Sequence, residues 1–323
     1  MRLRLALLLG LTLAASAAAQ STKDGLAQVN AALQAGEADK ALALLRSLPQ
    51  PVGNSAEAHN LHCRVLYALE KFEAASHECE QAVTLDPQNS SYHMWFGRAL
   101  GEQADKASFI SAYGLAKRVR AEFEQAAQLN PRDAEALADL GEFYTSAPGV
   151  VGGGTDKAAR VATQLEHIDP ARAHELRSAI ARENKDLDTA ERELKQAIAA
   201  SPHPAFQWMR LASFYRRTKR LPEMESAVQS GFAAAQRDPH AAAALFNGAS
   251  ALIKANRNPA LAIKLLETYL AAPNATEEAP AFIARVWLAR LRAQTGDAEG
   301  ARRERAAALA LAQEYKPAQE LKL

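Results

Sequence analysis

Aromatic residues, cysteines and net charge are all scarce in this chain. Aromatic residues make up 6% of the 323 residues, there are two cysteines, and 38 Lys and Arg balance 37 Asp and Glu. Because a protein that grips nucleic-acid phosphates needs a basic surplus, the balanced charge argues against a nucleic-acid partner. Few aromatic and β-branched residues, together with abundant alanine, favour helices over sheets. The composition therefore predicts an all-α fold.

Only the start of the chain carries a compact apolar run. Two arginines precede the apolar segment Leu5–Ala14, and the alanines Ala17–Ala19 follow it. This order is typical of a cleaved signal peptide over 1–19, with a retained membrane anchor as the alternative. No later stretch is long and apolar enough to span a bilayer. We therefore expect a periplasmic protein with no integral membrane span after signal removal; an extracellular location is the alternative.

Two spacing patterns recur along the rest of the chain. The first appears as Trp208-x-x-Leu211-Ala212-x-x-Tyr215 and as Leu137-x-x-Leu140-Gly141-x-x-Tyr144. The second ends at a proline, as in the sets Ala75, Cys79, Ala82, Pro87 and Val119, Phe123, Ala126, Pro131. Small residues let two helices approach closely, and proline cannot continue a helix. The patterns together predict consecutive helix pairs.

In phase, these motifs resemble the tetratricopeptide (TPR) repeat over about residues 22–312. The resemblance implies a TPR-like helix-turn-helix solenoid of about eight repeats that forms a right-handed superhelix. It would be one domain over 20–315, followed by a C-terminal tail at 316–323. The expected pairs are 22–48, 55–88, 90–131, 134–170, 173–202, 205–238, 241–272 and 279–312. By the same resemblance, the first helix of each pair lines a concave groove.

Proline spacing locates two irregular insertions in the middle of the solenoid. Pro87 and Pro131 lie 44 residues apart, and Pro131 and Pro170 lie 39 apart, against 34 in a regular repeat. The first insertion, about 101–119, has helical spacing that predicts lengthened helices. The second, about 146–155, resembles the APGVVGGG stretch of a set of exported bacterial TPR proteins. Insertions in repeat proteins often serve binding, so the candidate loop residues are Pro148, Gly149, Gly152, Gly153, Gly154 and Lys157.

The run Gly152–Lys157 superficially resembles a phosphate-binding loop. Its spacing fails the motif, because Asp156 separates the glycines from the lysine and a helix, not a strand, precedes it. A structural connector between helices is the favoured interpretation. Anion capture by free backbone N–H groups at the start of the next helix is the alternative.

Cys63 and Cys79 lie at equal distances from the predicted turn at Glu70 and Lys71. Residues placed in this way face each other in an antiparallel pair, and an oxidising compartment favours a disulfide between them. In the chain-entropy model, closing this loop contributes about 3 kcal/mol. The alternatives are two reduced core cysteines, or a zinc site that also uses His59 and His77. We expect no metal and no other cofactor.

Cations and a few apolar residues occupy the positions that the TPR resemblance places on the groove. They are Arg64, Tyr67, Arg98, Arg182, Phe206, Met209, Arg216, Arg217, Lys254 and Arg290. Arginine with apolar anchors is typical of peptide-binding surfaces, and its forked guanidinium suits carboxylates. The alternative is that these arginines only solubilise the surface.

No catalytic motif is recognisable, neither a nucleophile elbow nor H-E-x-x-H, so we expect no enzymatic activity. The prediction is a non-catalytic protein–protein interaction scaffold of the bacterial periplasm or cell envelope. It would bind a protein or peptide partner through the concave groove, the central insertion or both. The alternative is a small-molecule or solute-uptake accessory binding protein that uses the insertion near 146–157.

Overall fold

The computed structural model describes residues 24–238, 240–272 and 276–323, so the expected signal peptide at 1–19 lies outside the described residues. The described part contains α-helices and short 3-10 turns but no strand. The helices are α1 (24–34), α2 (Ala38–Ser47), α3 (Ala56–Ala68), α4 (Phe72–Leu85), α5 (Ser90–Lys106), α6 (Phe109–Leu129), α7 (Ala134–Ser146), α8 (Thr155–Glu166), α9 (Pro170–Glu183), α10 (Leu187–Ala200), α11 (Pro204–Arg217), α12 (Leu221–Ala235), α13 (Ala242–Ala255), α14 (Pro259–Ala271), α15 (Ala281–Gln294), α16 (Ala298–Leu311) and α17 (Lys316–Gln319).

Helices α1 to α16 form eight consecutive pairs, and each pair packs on the next. The all-α solenoid of about eight helix pairs predicted from the sequence is therefore confirmed. No helix in the described part combines the length and the apolar character needed to cross a membrane.

Left-handed residues make the tight turn inside six of the eight pairs. They are Gly36, Glu70, Lys185, Lys219, Asn256 and Gly296, with φ between 51° and 88°. A helix-start cap often follows: the Asp186 carboxylate accepts from the Thr189 N–H, and that of Asp297 accepts from the Gly300 N–H. The pairs α5–α6 and α7–α8, which carry the two insertions, lack this compact turn.

The odd-numbered helices lie on the inner side of the curve. Along the chain α3 contacts α5, α5 contacts α7, α7 contacts α9, and α11 contacts α13. Successive even-numbered helices make no comparably extensive contact in the described part. Helices that approach one another more closely lie on the concave side of a curved stack. We call this side, formed by the odd-numbered helices, the inner face.

The solenoid closes on itself. Arg64 of α3 binds Glu277, just before α15, with Nε–Oε2 and Nη2–Oε1 distances of 2.9 and 2.5 Å. The Tyr315 hydroxyl donates to the Glu70 carboxylate at 2.9 Å. Further polar contacts join Lys71 with Glu314, Gln34 with Glu277, and the Gln313 N–H with Asp39. Since α16 also contacts α2, the eight pairs form a closed ring.

One apolar cluster spans the closure. Val29 and Leu33 of α1 and Ala41 of α2 share it with Phe282 of α15 and Tyr315, and all five are at most 3% exposed. The Phe282 and Tyr315 rings meet edge to face, with centroids 4.9 Å apart. We call this junction between the first and last pairs the seam. It is therefore a hydrophobic interface with a polar rim.

The first insertion lengthens both helices of its pair. Helices α5 and α6 have 17 and 21 residues, whereas the other paired helices have 10 to 15. Their tip extends beyond its neighbours, so Phe109 and Ile110 are 90% and 85% exposed.

The segment 316–323, expected to be a tail, is partly built into the fold. It begins with α17, whose Ala318 is fully buried. The Arg305 side chain of α16 donates to the Ala318 and Gln319 carbonyls at 2.9 and 2.8 Å. These hydrogen bonds fix the first turn of the segment on α16.

Candidate functional site

Two of the predicted groove arginines form ion pairs within the fold. Arg64 is held by Glu277 at the seam. Arg98 binds Asp139 and Glu135 of α7 at 2.6 and 2.7 Å. Burial would lower the pKa of the Arg98 guanidinium, but the two carboxylates raise it overall. These two arginines stabilise the ring and offer little charge to a partner.

A second group of cations makes no ion pair in the described structure. They are Arg182, Arg216, Arg217, Lys254 and Arg290. Four of them lie in the last turn of three odd-numbered helices: Arg182 in α9, Arg216 and Arg217 in α11, and Lys254 in α13. The ordinary reason for cations there is the negative end of the helix dipole. We call these four residues the inner-face cations.

Two of the inner-face cations, Arg182 and Arg217, influence each other electrostatically. Partial burial lowers the pKa of Arg182, and the nearby Arg217 guanidinium lowers it further. The Glu142 carboxylate of α7 has the opposite effect and raises the pKa of Arg182. Arg182, in the last turn of α9, is therefore within electrostatic reach of both α7 and α11. The Arg216 Nε atom is buried and has no hydrogen-bond acceptor in the described structure.

The predicted apolar anchors of the groove are mostly buried. Met209 is 1% exposed, and its side chain fills the space beside Gly231 and Gly248. A side chain so deep in the core cannot contact a partner, so the groove assignment of Met209 is wrong. Phe206 packs partly buried against the same core. Tyr67 is half-buried between Phe72 and Trp95, with ring centroids 5.4 and 5.6 Å away.

The glycine-rich insertion is a compact structural connector. The N–H groups of Gly152, Gly153 and Gly154 donate to the carbonyls of Gly149, Pro148 and Tyr144. The Lys157 ammonium donates to the Gly152 carbonyl at 2.7 Å. The space beside Gly152 is filled by the Arg120 side chain. These three glycine donors are therefore satisfied within the loop, and the connector interpretation agrees with the geometry.

Cys63 and Cys79 form a disulfide between α3 and α4, with Cα atoms 5.2 Å apart. The zinc alternative is corrected, since bonded sulfurs supply no thiolate ligand. His59 and His62 both turn to Glu78, at 2.7 and 3.4 Å. No group of three or more His, Cys, Asp or Glu in the described residues is arranged to hold a metal ion.

Sequence reasoning missed a recurring pair that ties the two helices of a repeat together. His59–Glu78, His174–Glu193 and Arg285–Glu304 each span 19 residues, with bonds of 2.7 Å. His93 and Glu122 are 29 residues apart, because the first insertion adds ten, and their contact is 2.6 Å. A search for a cation followed at fixed distance by glutamate would have found this signal.

A cavity of about 470 Å³ lies at the seam, between α3, α5 and the segment before α15. Its walls include Tyr67, Phe72, Trp95, Glu102 and Glu278. The TPR resemblance placed Tyr67 on the groove. The cavity itself could not be predicted from the repeat pattern, because its wall from 277 to 283 comes from the other end of the chain.

Comparison with known proteins shows that the chain is similar in fold to solved structures. No family model matches the chain, and no curated protein is detectably similar. It is similar to the crystal structure of TTC0263, a thermophilic TPR protein of Thermus thermophilus. The TM-score is 0.49 with 21% identity, over 60% of this chain and 98% of that one. It is also similar to a chain of the APC/C hetero-tetramer Cut9–Hcn1, with a TM-score of 0.40 and 15% identity. That match covers 85% of this chain and 50% of the other.

Proposed function

We propose that this chain is a non-catalytic protein-interaction scaffold of the bacterial cell envelope. In a ring of helix pairs each pair is supported by its neighbours, and the assembly presents a long curved surface. The fold by itself does not assign a function. The N-terminal sequence, with its signal-like segment 1–19, supports export to the periplasm.

The observation that carries the proposal is the contrast between paired and unpaired arginines. Arg64 and Arg98 are neutralised by Glu277, Asp139 and Glu135. The inner-face cations have no such partner in the described structure. Guanidinium groups bind carboxylates through two parallel hydrogen bonds. An acidic segment of a partner protein would supply these carboxylates.

The test compares two variants with the same change in net charge. In the first, Arg182, Arg216 and Arg217 are each replaced by Gln. In the matched control, the exposed residues Arg132, Arg302 and Lys322 are each replaced by Gln; they make no ion pair in the described structure.

Both variants and the wild-type chain are expressed in the exporting host, crosslinked, purified, and analysed by mass spectrometry. We expect one envelope protein to be enriched with the wild type and the control, and lost with the inner-face variant. Equal recovery with all three would contradict the inner-face contact. Sequencing the N-terminus of the exported chain tests cleavage after residue 19 in the same samples.

A small-molecule function is the second candidate, and the cavity at the seam favours it. The sequence suggested the loop near 146–157, but the Arg120 side chain of α6 fills the space beside Gly152, and the loop's glycine N–H groups are hydrogen-bonded. A volume of about 470 Å³ is instead present beside Tyr67 and Trp95. Pockets of this size hold small ligands.

A further inference from the structure

The seam cavity has aromatic walls that already accept cations. The Arg98 and Arg64 guanidinium carbons lie 4.8 and 5.4 Å from the Trp95 ring centroid. The Lys106 ammonium lies 4.2 Å from that of Phe72. An aromatic face attracts a nearby positive charge. The Trp95 and Phe72 rings therefore already hold the protein's own cations, and the two arginines among them are fixed by ion pairs.

Of the carboxylates that line the same cavity, only that of Glu277 is neutralised by an ion pair in the described structure. The two guanidinium groups are bound to Glu277, Glu135 and Asp139. Glu102 makes no ion pair in the described structure, and its hydrogen-bond partner there is the Tyr67 hydroxyl at 3.4 Å. Glu278, on the opposite wall, also lacks a side-chain partner there. Besides its two bound guanidinium groups, the cavity is lined by three carboxylates that make no ion pair in the described structure, those of Glu70, Glu102 and Glu278, and by the Lys106 ammonium.

The electrostatic environment of Glu102 agrees with an excess of carboxylates around the cavity. Burial raises the pKa of Glu102, and the carboxylates of Asp105 and Glu70 raise it further, whereas Lys106 opposes them. On the seam side, the Glu70 carboxylate accepts from the Tyr315 hydroxyl and makes no ion pair in the described part of the chain. A positive group that enters the cavity would relieve this repulsion, whereas an anion would add to it.

We propose that the seam cavity binds a primary ammonium or guanidinium group, with Glu102 as its hydrogen-bond acceptor and the Tyr67 ring as part of its wall. The group is carried either by a lysine or arginine side chain of a polypeptide or by a free organic amine. Charge-assisted hydrogen bonds to a partly buried carboxylate supply the recognition. This site is separate from the inner-face cations and does not rest on the proposed contact with acidic segments.

Isothermal titration calorimetry on the full chain tests the proposal with two cationic probes. One is 1,5-diaminopentane, a free amine, and the other is Nα-acetyl-lysine methylamide, which mimics a residue in a polypeptide. The neutral counterpart is Nα-acetyl-norleucine methylamide. We expect the cationic probes to bind and the neutral one not to bind. Tighter binding of diaminopentane would identify a free amine as the ligand class, and tighter binding of the capped lysine would identify a polypeptide side chain.

Two variants locate the binding. Glu102→Gln should weaken the cationic probes by at least about tenfold, which corresponds to about 1.4 kcal/mol. Asp105→Asn removes the same charge from an exposed position on the same helix, and should weaken them by less than about threefold, as expected for a screened surface charge. Glu102 makes no ion pair with the described fold, so the melting temperature of Glu102→Gln should stay close to that of the wild type.

Three results would overturn the proposal. They are the absence of binding by both cationic probes at millimolar concentration, equal binding of the neutral probe, and equal weakening by the two variants. The last would show a diffuse charge effect and no site. Each of these results leaves the crosslinking test of the inner-face cations unaffected, so the two proposals fail separately.

Discussion

Arg64 and Glu277 are 213 residues apart in the chain, yet they form a two-point ion pair that joins the third helix to the linker before α15. Their side chains are 16% and 12% exposed, so solvent screens the pair only partly. The Arg64 guanidinium also donates to Asn30 of α1 at 3.3 Å. This pair is therefore the main polar contact across the seam.

The first prediction concerns this contact. Glu277→Gln should lower the stability of the seam by about 1–3 kcal/mol, because a half-buried guanidinium loses its charged partner. Hydrogen exchange should become faster in α1, α2 and α16 and stay unchanged in α9 to α12. The control Glu37→Gln removes an exposed pair with Lys40, and should change stability by less than about 0.5 kcal/mol. Uniform acceleration along the whole chain would contradict a local seam.

The second prediction concerns the Cys63–Cys79 disulfide. Reduction should lower the free energy of unfolding of the α3–α4 pair by about 3 kcal/mol, because the unfolded chain regains the freedom of a closed loop of 16 residues. Chemical denaturation with and without a thiol reductant measures the change. A variant with both cysteines replaced by alanine should be insensitive to the reductant. If the wild type were equally insensitive while a thiol assay showed two free cysteines, the stabilising role would be refuted.

The third prediction uses two glycines of α5. A Cβ atom on Gly97 would lie 2.5 Å from the Phe123 ring, whereas one on Gly101 would meet nothing within 4 Å. Gly97→Ala should therefore destabilise by about 1–3 kcal/mol through overpacking, and Gly101→Ala should stabilise by about 0.5–1 kcal/mol through helix propensity. Urea denaturation of both variants gives the comparison. Stabilisation by both substitutions would show that α6 moves away at little cost.

The fourth prediction concerns the dependence of stability on pH. Burial opposes the charge on His93, but hydrogen bonds to the Glu122 carboxylate and the Pro87 carbonyl raise the pKa of its imidazole above 6.5. The charged pair then stabilises the fold fully below the unfolded pKa, and its contribution is lost as pH rises through the folded pKa.

His93→Gln should consequently cost more stability at acidic than at alkaline pH. Denaturation of wild type and variant across about pH 5 to 9 measures the difference. His77→Gln is the matched control, because that exposed ring makes no ion pair in the described structure. A constant difference between wild type and His93→Gln over the whole range would contradict the assignment.

The helix pairs were predictable because their determinants are local. Small residues such as Gly97 and prolines such as Pro170, here the first residue of α9, act within one repeat or on its neighbour. The equal spacing of Cys63 and Cys79 about one turn also reflects local antiparallel geometry.

The closure of the ring was not predictable in this way. It depends on small rotations added over eight pairs, and on Glu277, which lies in a linker outside every repeat motif. Met209 was misplaced for a related reason. The space that it fills exists because Gly231 and Gly248, on two other helices, have no side chain there. Groove positions assigned by repeat phase therefore need the tertiary neighbours as well.

The seam also changes how the molecule can come apart. An open repeat array frays from its termini, since an outermost repeat has one interface to lose. Here α16 contacts α2, so the first and last helix pairs are also neighbours, and every pair has two interfaces. The first pair to melt must give up two interfaces, and only then does the chain acquire ends from which melting spreads. Unfolding should accordingly be more cooperative than in an unclosed array of the same repeats.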